Sequence, residues 1–351
     1  MALRTGFSEA AEAYQLPRLV RLGPNLYGAA FTLMKLVPAR FILRRAAEQG
    51  LLGPGTVIAE TTSGTFGLAL AMQGVHLDRK VVLVSDPVID ERLLRRLTDL
   101  GATVERVPAA AGSAAGGYQA ARLARLAEIR AAYPATFCPE QYSNPDNPRS
   151  YAAVAELLLE ALGQVDCLVG PVGSGGSMCG TATYLRSVLP ECRAVGVDTH
   201  GSVVFGQPEG RRELRGLGMG LQPPNVDHTV FDAVHWTSAT LAYAGTRELH
   251  RRHALFMGPT SGAAYAVARW RAAADPGTLT VVMLPDEGYR YLDTVYDDGW
   301  LATAGHAFDG LPAVPEPVED PAAARGHWNC LDWGRRTFAD VVSGAGEPAV
   351  R

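Results

Sequence analysis

The stretch DCLVGPVGSGGSMCGTATYL, from Asp166 to Leu185, says most about the fold and the first functional hypothesis. Its apolar start, Cys167 to Val169, is typical of a buried parallel strand, and the polar, glycine-rich turn that follows opens a helix. Glycines let several backbone N–H groups converge, two serines add donors, and the helix N-terminus adds partial positive charge. The pattern lacks a Walker lysine and G-x-G-x-x-G spacing, so it indicates a phosphate site rather than a particular nucleotide. A turn whose glycines serve packing alone is the alternative.

Charge and composition restrict the partners. The chain has 351 residues, of which 47% are hydrophobic and 19% charged, enough for two α/β domains. Its net charge of −4 provides no basic field for nucleic acid, and no apolar segment is long enough to span a bilayer. We therefore expect small-molecule partners or a second copy of the chain. The start, MALRTGFSEAAEAYQ, lacks the pattern of a signal peptide, so we expect a cytoplasmic protein.

Cysteine and lysine restrict the chemistry. The five cysteines are scattered and never spaced as C-x-x-C, so we expect no disulfide framework and no metal site. Lys35 and Lys80 are the only lysines. An amine that must form a Schiff base cannot be replaced by a guanidinium, so such chemistry would fall on one of these two. Lys80 begins a predicted strand directly after Asp78 and Arg79, which favours a solvated edge charge there.

Short apolar segments alternate with helical ones, which predicts parallel sheets with crossover helices. A turn-rich break at 141–148 predicts a domain junction, and the irregular segment 199–228 is either a substrate entrance or a disordered connector. The tail after Trp300 is rich in Pro, Ala and Gly and is expected to be wrapped on the surface or partly disordered. Strands are predicted at 56–60, 80–85, 103–107, 136–138, 193–198 and 278–284, and helices at 39–49, 68–74, 91–100, 118–132 and 239–252.

Two further hydroxyl-bearing turns open helices. TTSGTFG, at 61–67, follows a predicted strand and can offer N–H and hydroxyl donors to a carboxylate, although a plain Ser/Thr N-cap would explain it too. MGPTSG, at 257–262, is a similar turn near the end of the chain.

This combination resembles the fold type II family of pyridoxal 5′-phosphate enzymes, the group of cysteine synthase and the tryptophan synthase β subunit. The resemblance covers roughly residues 16–301. The segments DTHGSVVFG (198–206), RELRGLG (212–218) and LPDEGYRYLDTVYDDGWL (284–301) are most similar to synthases that join an activated serine to glutamate in making 2,3-diaminopropionate precursors. We expect an α/β homodimer whose large cofactor-binding domain comprises 1–38 and 149–310. A smaller mobile domain would span 39–148, with a C-terminal tail at 311–351.

The resemblance also assigns residues. It implies that Lys35 is the cofactor-linked lysine and catalytic base. It implies that Ser261 lies at the pyridine nitrogen and Thr65 near the phenolic oxygen, where relatives have Asn. The remaining expected ligands are, for the cofactor phosphate, Gly173, Ser174, Gly175, Gly176 and Ser177 and, for the substrate α-carboxylate, Thr62, Ser63, Gly64 and Gln141.

The implied reaction is β-replacement through an aminoacrylate. The activated serine would be O-phospho-L-serine or O-acetyl-L-serine, and the nucleophile an amine such as L-glutamate. A sulfide-using cysteine synthase is the nearest alternative. Relatives carry N-P-x-G-S before the lysine, whereas here it lies in FTLMKLVPAR, so a catalytically impaired binding or regulatory protein is a third interpretation.

Overall fold

The computed structural model describes residues 6–62, 64–87, 89–113, 117–214 and 216–343. These form two compact units. Unit 1 contains residues 6–16 and Leu33–Asn147, and unit 2 contains Pro17–Thr32 and the described residues from Pro148 onwards. The expected junction at 148/149 lies one residue from this division. Residues 6–16 and 33–38, however, group with the smaller unit, because the N-terminal helix packs there through the Arg40–Glu9 ion pair at 2.7 Å.

The predicted alternation of strands and helices is confirmed, with shifts of a few residues at most bounds. The strands are β1 (Arg18–Gly23), β2 (Leu26–Ala30), β3 (Val57–Thr61), β4 (Val81–Ser85), β5 (Thr103–Arg106), β6 (Thr136–Phe137), β7 (Cys167–Pro171), β8 (Arg193–Thr199), β9 (Ala233–Thr237), β10 (Thr280–Leu284), β11 (Glu316–Pro317) and β12 (Trp328–Asp332). The helices are α1 (Ala10–Gln15), α2 (Leu36–Glu48), α3 (Thr65–Leu77), α4 (Glu91–Asp99), α5 (Gly117–Ala132), α6 (Asp146–Ser150), α7 (Ala152–Leu162), α8 (Gly176–Val188), α9 (Ala239–His253), α10 (Pro259–Ala274), α11 (Asp298–Thr303) and α12 (Phe338–Ser343).

Unit 1 is built on a parallel four-stranded sheet in the order β5-β4-β3-β6. Alternate residues of its central strands supply two cores: Ile58 and Leu83 join the core formed with α2, α3 and α4, whereas Val57 and Val82 join the core formed with α5. Burial on both faces explains why these strands are almost continuously apolar. Glu60 is an exception, because it is a charged residue buried in the otherwise largely apolar β3.

Unit 2 is built on an eight-stranded sheet in the order β1-β2-β10-β7-β8-β9-β12-β11. The five central strands, β2, β10, β7, β8 and β9, run parallel to one another. β1 pairs antiparallel with β2, and β12 pairs antiparallel with β9. The C-terminal tail thus differs from the expected surface segment, because Trp328–Asp332 completes the sheet beside β9. The contact is tied by a 3.1 Å hydrogen bond from Trp328 Nε1 to His235 Nδ1.

The irregular segment that follows β8 is folded wherever it is described. Asp198 Oδ1 accepts the N–H of Thr199 at 2.7 Å, and Ser202 Oγ accepts the N–H of Met219 at 3.0 Å. Gly218 lies so close to Asp198 that a Cβ would come within 2.4 Å of Oδ1. These bonds rule out the disordered-connector alternative for the described part of 199–228.

Parallel strands bring their carboxyl ends to one edge of each sheet, which is where ligand sites of α/β proteins form. In unit 2, β7 is followed there by the loop at Gly173, and in unit 1, β3 is followed by the turn at Thr62. Among the described helices, none combines the length and apolar character needed to cross a membrane.

Candidate active site

The glycine-rich loop of unit 2 joins the end of β7 to the N-terminus of α8. Gly175, the N-cap, has φ +87°, a conformation that favours glycine, and a Cβ there would lie 2.5 Å from the Asn225 carbonyl oxygen. As a glycine, Gly175 has no side chain with which to cap α8. The first N–H groups of a helix have no intrahelical partner, so they point out of this end and can bind an anion.

The glycines of this region divide into two kinds. A Cβ on Gly170 would lie 2.5 Å from Met178 Sδ, and one on Gly180 would lie 2.0 Å from the Pro148 carbonyl oxygen. These two serve close packing around α8. At Gly173, in contrast, the nearest neighbour of a Cβ would be the Gly216 carbonyl oxygen at 3.6 Å. The packing alternative therefore explains Gly170 and Gly180 but not Gly173.

Ser174 and Ser177 are both buried. With Gly176, the first residue of α8, they complete the stretch predicted to hold a phosphate. The backbone and two hydroxyls of one strand-helix turn are thus grouped within unit 2.

Ser261 lies in the first turn of α10, where its N–H donates to the Gly258 carbonyl at 3.0 Å. Its side chain is fully buried, and among the residues that the structure describes its hydroxyl oxygen has no hydrogen-bond partner. A buried hydroxyl without a partner costs about 1–3 kcal/mol, so one expects a ligand to supply the missing bond. The next residue, Gly262, has a packing role, since a Cβ there would lie 2.2 Å from the Ala242 carbonyl oxygen of α9.

Gly216 connects the loop to the start of α10. A Cβ on Gly216 would lie 3.7 Å from Thr260 Oγ1, and its carbonyl oxygen faces Gly173. The segment 212–218, which carried the resemblance to amine-using synthases, therefore runs past both predicted cofactor contacts of unit 2. Sequence reasoning had noted this segment without placing it.

Lys35 lies in unit 1, at the N-cap of α2. Its neighbours Leu33, Met34 and Leu36 are buried, and Leu33 and Leu36 belong to the core of unit 1, which explains the apolar flanks of the lysine. Burial lowers the pKa of its amine from 10.5 to about 8. A larger fraction of the amine is therefore neutral, and thus nucleophilic, near physiological pH than in an exposed lysine.

Lys80 has a different environment. Its exposed amine donates to the Tyr133 hydroxyl at 2.8 Å and lies 4.9 Å from the ring centroid. This agrees with the predicted solvated charge at Lys80.

The turn between β3 and α3 carries the predicted carboxylate ligands of unit 1. Thr62 is buried, and its Oγ1 accepts the N–H of Gly64 at 3.2 Å. Gly64 is the N-cap of α3, which begins at Thr65, and both residues are partly exposed. Ser63 lies outside the described residues. A Cβ on Gly67 would lie 2.8 Å from Thr62 Cγ2, so this glycine lets α3 approach the turn.

Gln141 is buried in unit 1, and its backbone is held from two sides. Its N–H donates to Glu60 Oε2 at 3.3 Å, and its carbonyl accepts from Asn147 Nδ2 at 2.6 Å. Glu60 Oε1 also accepts the N–H of Thr61 at 2.8 Å. Burial raises the pKa of Glu60 from 4.5 to about 7, although these N–H donors oppose the rise. Within unit 1, Glu60 thus joins the Thr62 turn to Gln141, a link that sequence reasoning missed.

Comparison with known proteins gives the class. The sequence matches the family described as pyridoxal-phosphate dependent enzyme over residues 34–286. The chain belongs to this family, and its cofactor is pyridoxal phosphate.

Two curated relatives then narrow the class. Both are named N-(2-amino-2-carboxyethyl)-L-glutamate synthase. The protein from Ralstonia nicotianae is 38% identical over 290 residues, covering 81% of this chain and 85% of the relative. The protein from Cupriavidus metallidurans is 36% identical over 286 residues, covering 79% and 83%. Family and relatives make the chain a pyridoxal-phosphate dependent β-substituting synthase, which confirms the expected enzyme class.

Solved structures confirm the fold type II architecture. The O-acetylserine dependent cystathionine β-synthase of Helicobacter pylori is 25% identical with a TM-score of 0.75, covering 82% of this chain and 98% of that one. O-acetylserine sulfhydrylase isoform 3 of Entamoeba histolytica is 24% identical with a TM-score of 0.76, covering 84% and 93%.

The residues present fit the cofactor of the family. The Ser261 hydroxyl, which has no hydrogen-bond partner among the described residues, suits a ring nitrogen, and the α8 N-terminus that begins at the left-handed Gly175 suits a phosphate. Lys35 offers a desolvated amine for covalent attachment. The roles of these residues, and of Thr65 beside the ring oxygen, remain predictions.

Proposed function

We propose that the chain catalyses β-replacement on an activated serine with L-glutamate as nucleophile. The Cβ–O bond of O-phospho-L-serine or O-acetyl-L-serine breaks, a Cβ–N bond to the glutamate amine forms, and phosphate or acetate leaves with a proton released to solvent. The product would enter a 2,3-diaminopropionate or related specialised pathway. The observation that carries the choice of nucleophile is the 36–38% identity to two glutamate-using synthases over about four fifths of the chain.

Lys35 has two tasks in this proposal. Its amine attaches the cofactor, and once displaced by the substrate amine it removes the Cα proton. Bound pyridoxal phosphate supplies an electron sink for the charge that develops at Cα. A pKa of about 8 suits Lys35 to both tasks, because the neutral amine is needed for attachment and for proton removal.

The other predicted residues bind and orient. Residues 173–177 would hold the cofactor phosphate and Ser261 the ring nitrogen. A serine hydroxyl cannot hold a ring cation as an aspartate would, so charge at Cα is stabilised less and loss of the β leaving group competes well against reprotonation. Thr62, Ser63, Gly64 and Gln141 would bind the substrate α-carboxylate through hydroxyl, amide and N–H donors.

Product analysis tests this proposal. Purified holoenzyme is incubated with O-phospho-L-serine or O-acetyl-L-serine, each with L-glutamate, other amines or sulfide, and the products are identified by mass. We expect a glutamate adduct as the main product. Cysteine from the sulfide arm alone would support the cysteine synthase alternative, and no product in any arm would support the impaired protein.

A lysine pair provides the matched control. Lys35→Ala should abolish both the visible absorbance of the bound cofactor and product formation. Lys80→Ala should retain both, because the exposed Lys80 amine contacts Tyr133 instead. Equal behaviour of the two variants would contradict the assignment of Lys35.

We also propose a cytoplasmic homodimer that binds neither nucleic acid nor membranes. The net charge of −4 and the family resemblance support this. Light scattering on the purified protein measures the oligomeric state directly.

A further inference from the structure

We propose that Glu60 and Asn147 are positioning residues that clamp the Gln141 backbone and thereby fix the direction of the Gln141 side chain. The role rests on the proposed function, in which Gln141 binds the substrate α-carboxylate. Neither Glu60 nor Asn147 is itself proposed to touch substrate.

The clamp acts on both polar groups of one residue. Glu60 Oε2 accepts the Gln141 N–H at 3.3 Å, and Asn147 Nδ2 donates to the Gln141 carbonyl at 2.6 Å. Asn147 and Glu60 are almost fully buried, at 1% and 2% exposure. Because the N–H and the carbonyl on either side of the Gln141 Cα are both bonded, rotation about its φ and ψ is restricted, and the direction of its side chain is restricted with them.

The second oxygen of Glu60 ties the clamp to the neighbouring turn. Oε1 accepts the N–H of Thr61 at 2.8 Å, directly before Thr62, whose N–H in turn donates to Val84 O at 3.0 Å. The two segments predicted to grip one carboxylate are thus joined by a single carboxyl group. A carboxyl buried in a parallel strand is costly, and these N–H bonds offset part of that cost.

A cavity of about 210 Å³ lies beside the clamp. Glu60, Cys138 and Tyr142 line it, and Arg130 and Glu140 form an ion pair at its edge with 3.6 Å between Nη1 and Oε1. Loss of the Glu60 carboxyl would free the Gln141 N–H next to this space. The loop then has room to move, so we expect a functional change rather than only a change in stability.

The experiment compares Glu60→Ala, Glu60→Gln and Glu140→Gln as holoenzymes. Glu140→Gln is the matched control. Glu140 directly precedes Gln141, but its carboxylate is half-exposed and pairs with Arg130. Hydrogen exchange of peptides covering 139–147 reports the clamp, and steady-state kinetics with the activated serine report its effect. The visible absorbance of the cofactor is recorded for each protein.

In Glu60→Ala we expect amide exchange in 139–147 to accelerate by about tenfold and the KM for the activated serine to rise by about tenfold, as for loss of a charge-assisted hydrogen bond. The kcat should change much less, and the cofactor absorbance should persist. Glu60→Gln keeps one acceptor and should lie between Glu60→Ala and the parent, whereas Glu140→Gln should match the parent.

Unchanged exchange in both Glu60 variants would overturn the clamp. Faster exchange with an unchanged KM, or a fall in kcat alone, would overturn its link to Gln141. If the parent protein bound no cofactor, the proposed function would fail, while the exchange data would still decide whether Glu60 holds the loop.

Discussion

Each unit carries predicted site residues at two helix N-termini, and the two units build them differently. In unit 2, α8 and α10 present Gly175 and Ser261, both buried, with a left-handed glycine in one case and a fully enclosed hydroxyl in the other. In unit 1, the residues at the starts of α2 and α3, Lys35 and the Gly64–Thr65 pair, are partly exposed, although the Lys35 amine itself is buried enough to lower its pKa.

This difference in exposure agrees with the roles predicted for the residues of each unit. A cofactor that stays bound is served by fixed backbone N–H groups and a buried donor, which need no rearrangement during the reaction. A lysine that changes protonation, and a turn that must accept and release substrate, need access and a tunable amine. The predicted cofactor ligands Gly175 and Ser261 of unit 2 thus have fixed surroundings, whereas Lys35 and the Gly64–Thr65 pair of unit 1 keep some access to solvent.

The largest difference between the two units is expected when the glycine at a helix N-cap is replaced by alanine, as in Gly175→Ala and Gly64→Ala. Gly175→Ala places a methyl group 2.5 Å from the Asn225 carbonyl oxygen at φ +87°, whereas Gly64 has φ −136° and an open side-chain position. We expect Gly175→Ala to reduce cofactor affinity by about a hundredfold, roughly 3 kcal/mol. Gly64→Ala should leave cofactor affinity unchanged. Titration of each protein with pyridoxal phosphate measures both.

Gly163→Ala separates strain from contact at Gly175. Gly163, the C-cap of α7 in the same unit, has φ +71° with nothing within 4 Å of a Cβ. Its alanine bears the left-handed cost of about 1–2 kcal/mol without a clash. If Gly163→Ala weakened cofactor binding as much as Gly175→Ala, general destabilisation rather than the loop geometry would explain both.

The second-largest effect is expected for the stability of the apoprotein when one of two buried serines of unit 2 is replaced. Ser202 Oγ accepts two backbone N–H groups, from Val204 at 3.3 Å and Met219 at 3.0 Å, whereas Ser261 Oγ has no partner within the described part of the chain. Without cofactor, Ser202→Ala should lower the free energy of unfolding by about 2 kcal/mol, and Ser261→Ala should leave it unchanged or raise it. Denaturant unfolding of the apoproteins checks this. A large loss in Ser261→Ala would show that its hydroxyl is a structural bond rather than a ligand contact.

How far the sequence predicts this architecture depends on the distance between interacting residues. The strands β3, β4 and β7 follow from local apolar runs, and the α8 loop follows from its own glycines. The start of α2 lies three residues earlier than predicted, because Pro38 is accommodated in the first turn rather than before it.

The missed features need partners that are distant in sequence. β12 is ordered by pairing with β9, almost a hundred residues earlier, and neither strand has a strong local pattern. Glu60 looks like a polar residue at a strand end until Gln141 is placed beside it. The lone hydroxyl of Ser261 is visible only once its surroundings are known.

The lowered pKa of Lys35 predicts that both cofactor attachment and stability depend on pH. With a pKa lowered to about 8 by burial, the neutral fraction of the amine, and hence the rate of cofactor attachment, should rise about tenfold between about pH 7 and 9 and then level off.

In the apoprotein the folded chain loses the Lys35 proton at a lower pH than the unfolded chain does. The free energy of unfolding, relative to Lys35→Met, should therefore rise with pH between about 8 and 10.5. Stopped-flow absorbance and pH-dependent unfolding measure the two effects, and an attachment rate still rising steeply at pH 10 would contradict the lowered pKa.

The smallest effect concerns Thr62, where packing and hydrogen bonding can be separated. Thr62→Val keeps the methyl group that faces Gly67 but removes the acceptor for the Gly64 N–H, and Thr62→Ser does the reverse. Losing that bond should cost about 1 kcal/mol, seen as a KM for the activated serine about fivefold higher in Thr62→Val. Cofactor affinity should be unaffected in both, since Thr62 itself is predicted to bind the substrate α-carboxylate rather than the cofactor. If Thr62→Ser raised KM as much as Thr62→Val did, the methyl contact with α3, rather than the hydroxyl, would set the geometry of the turn.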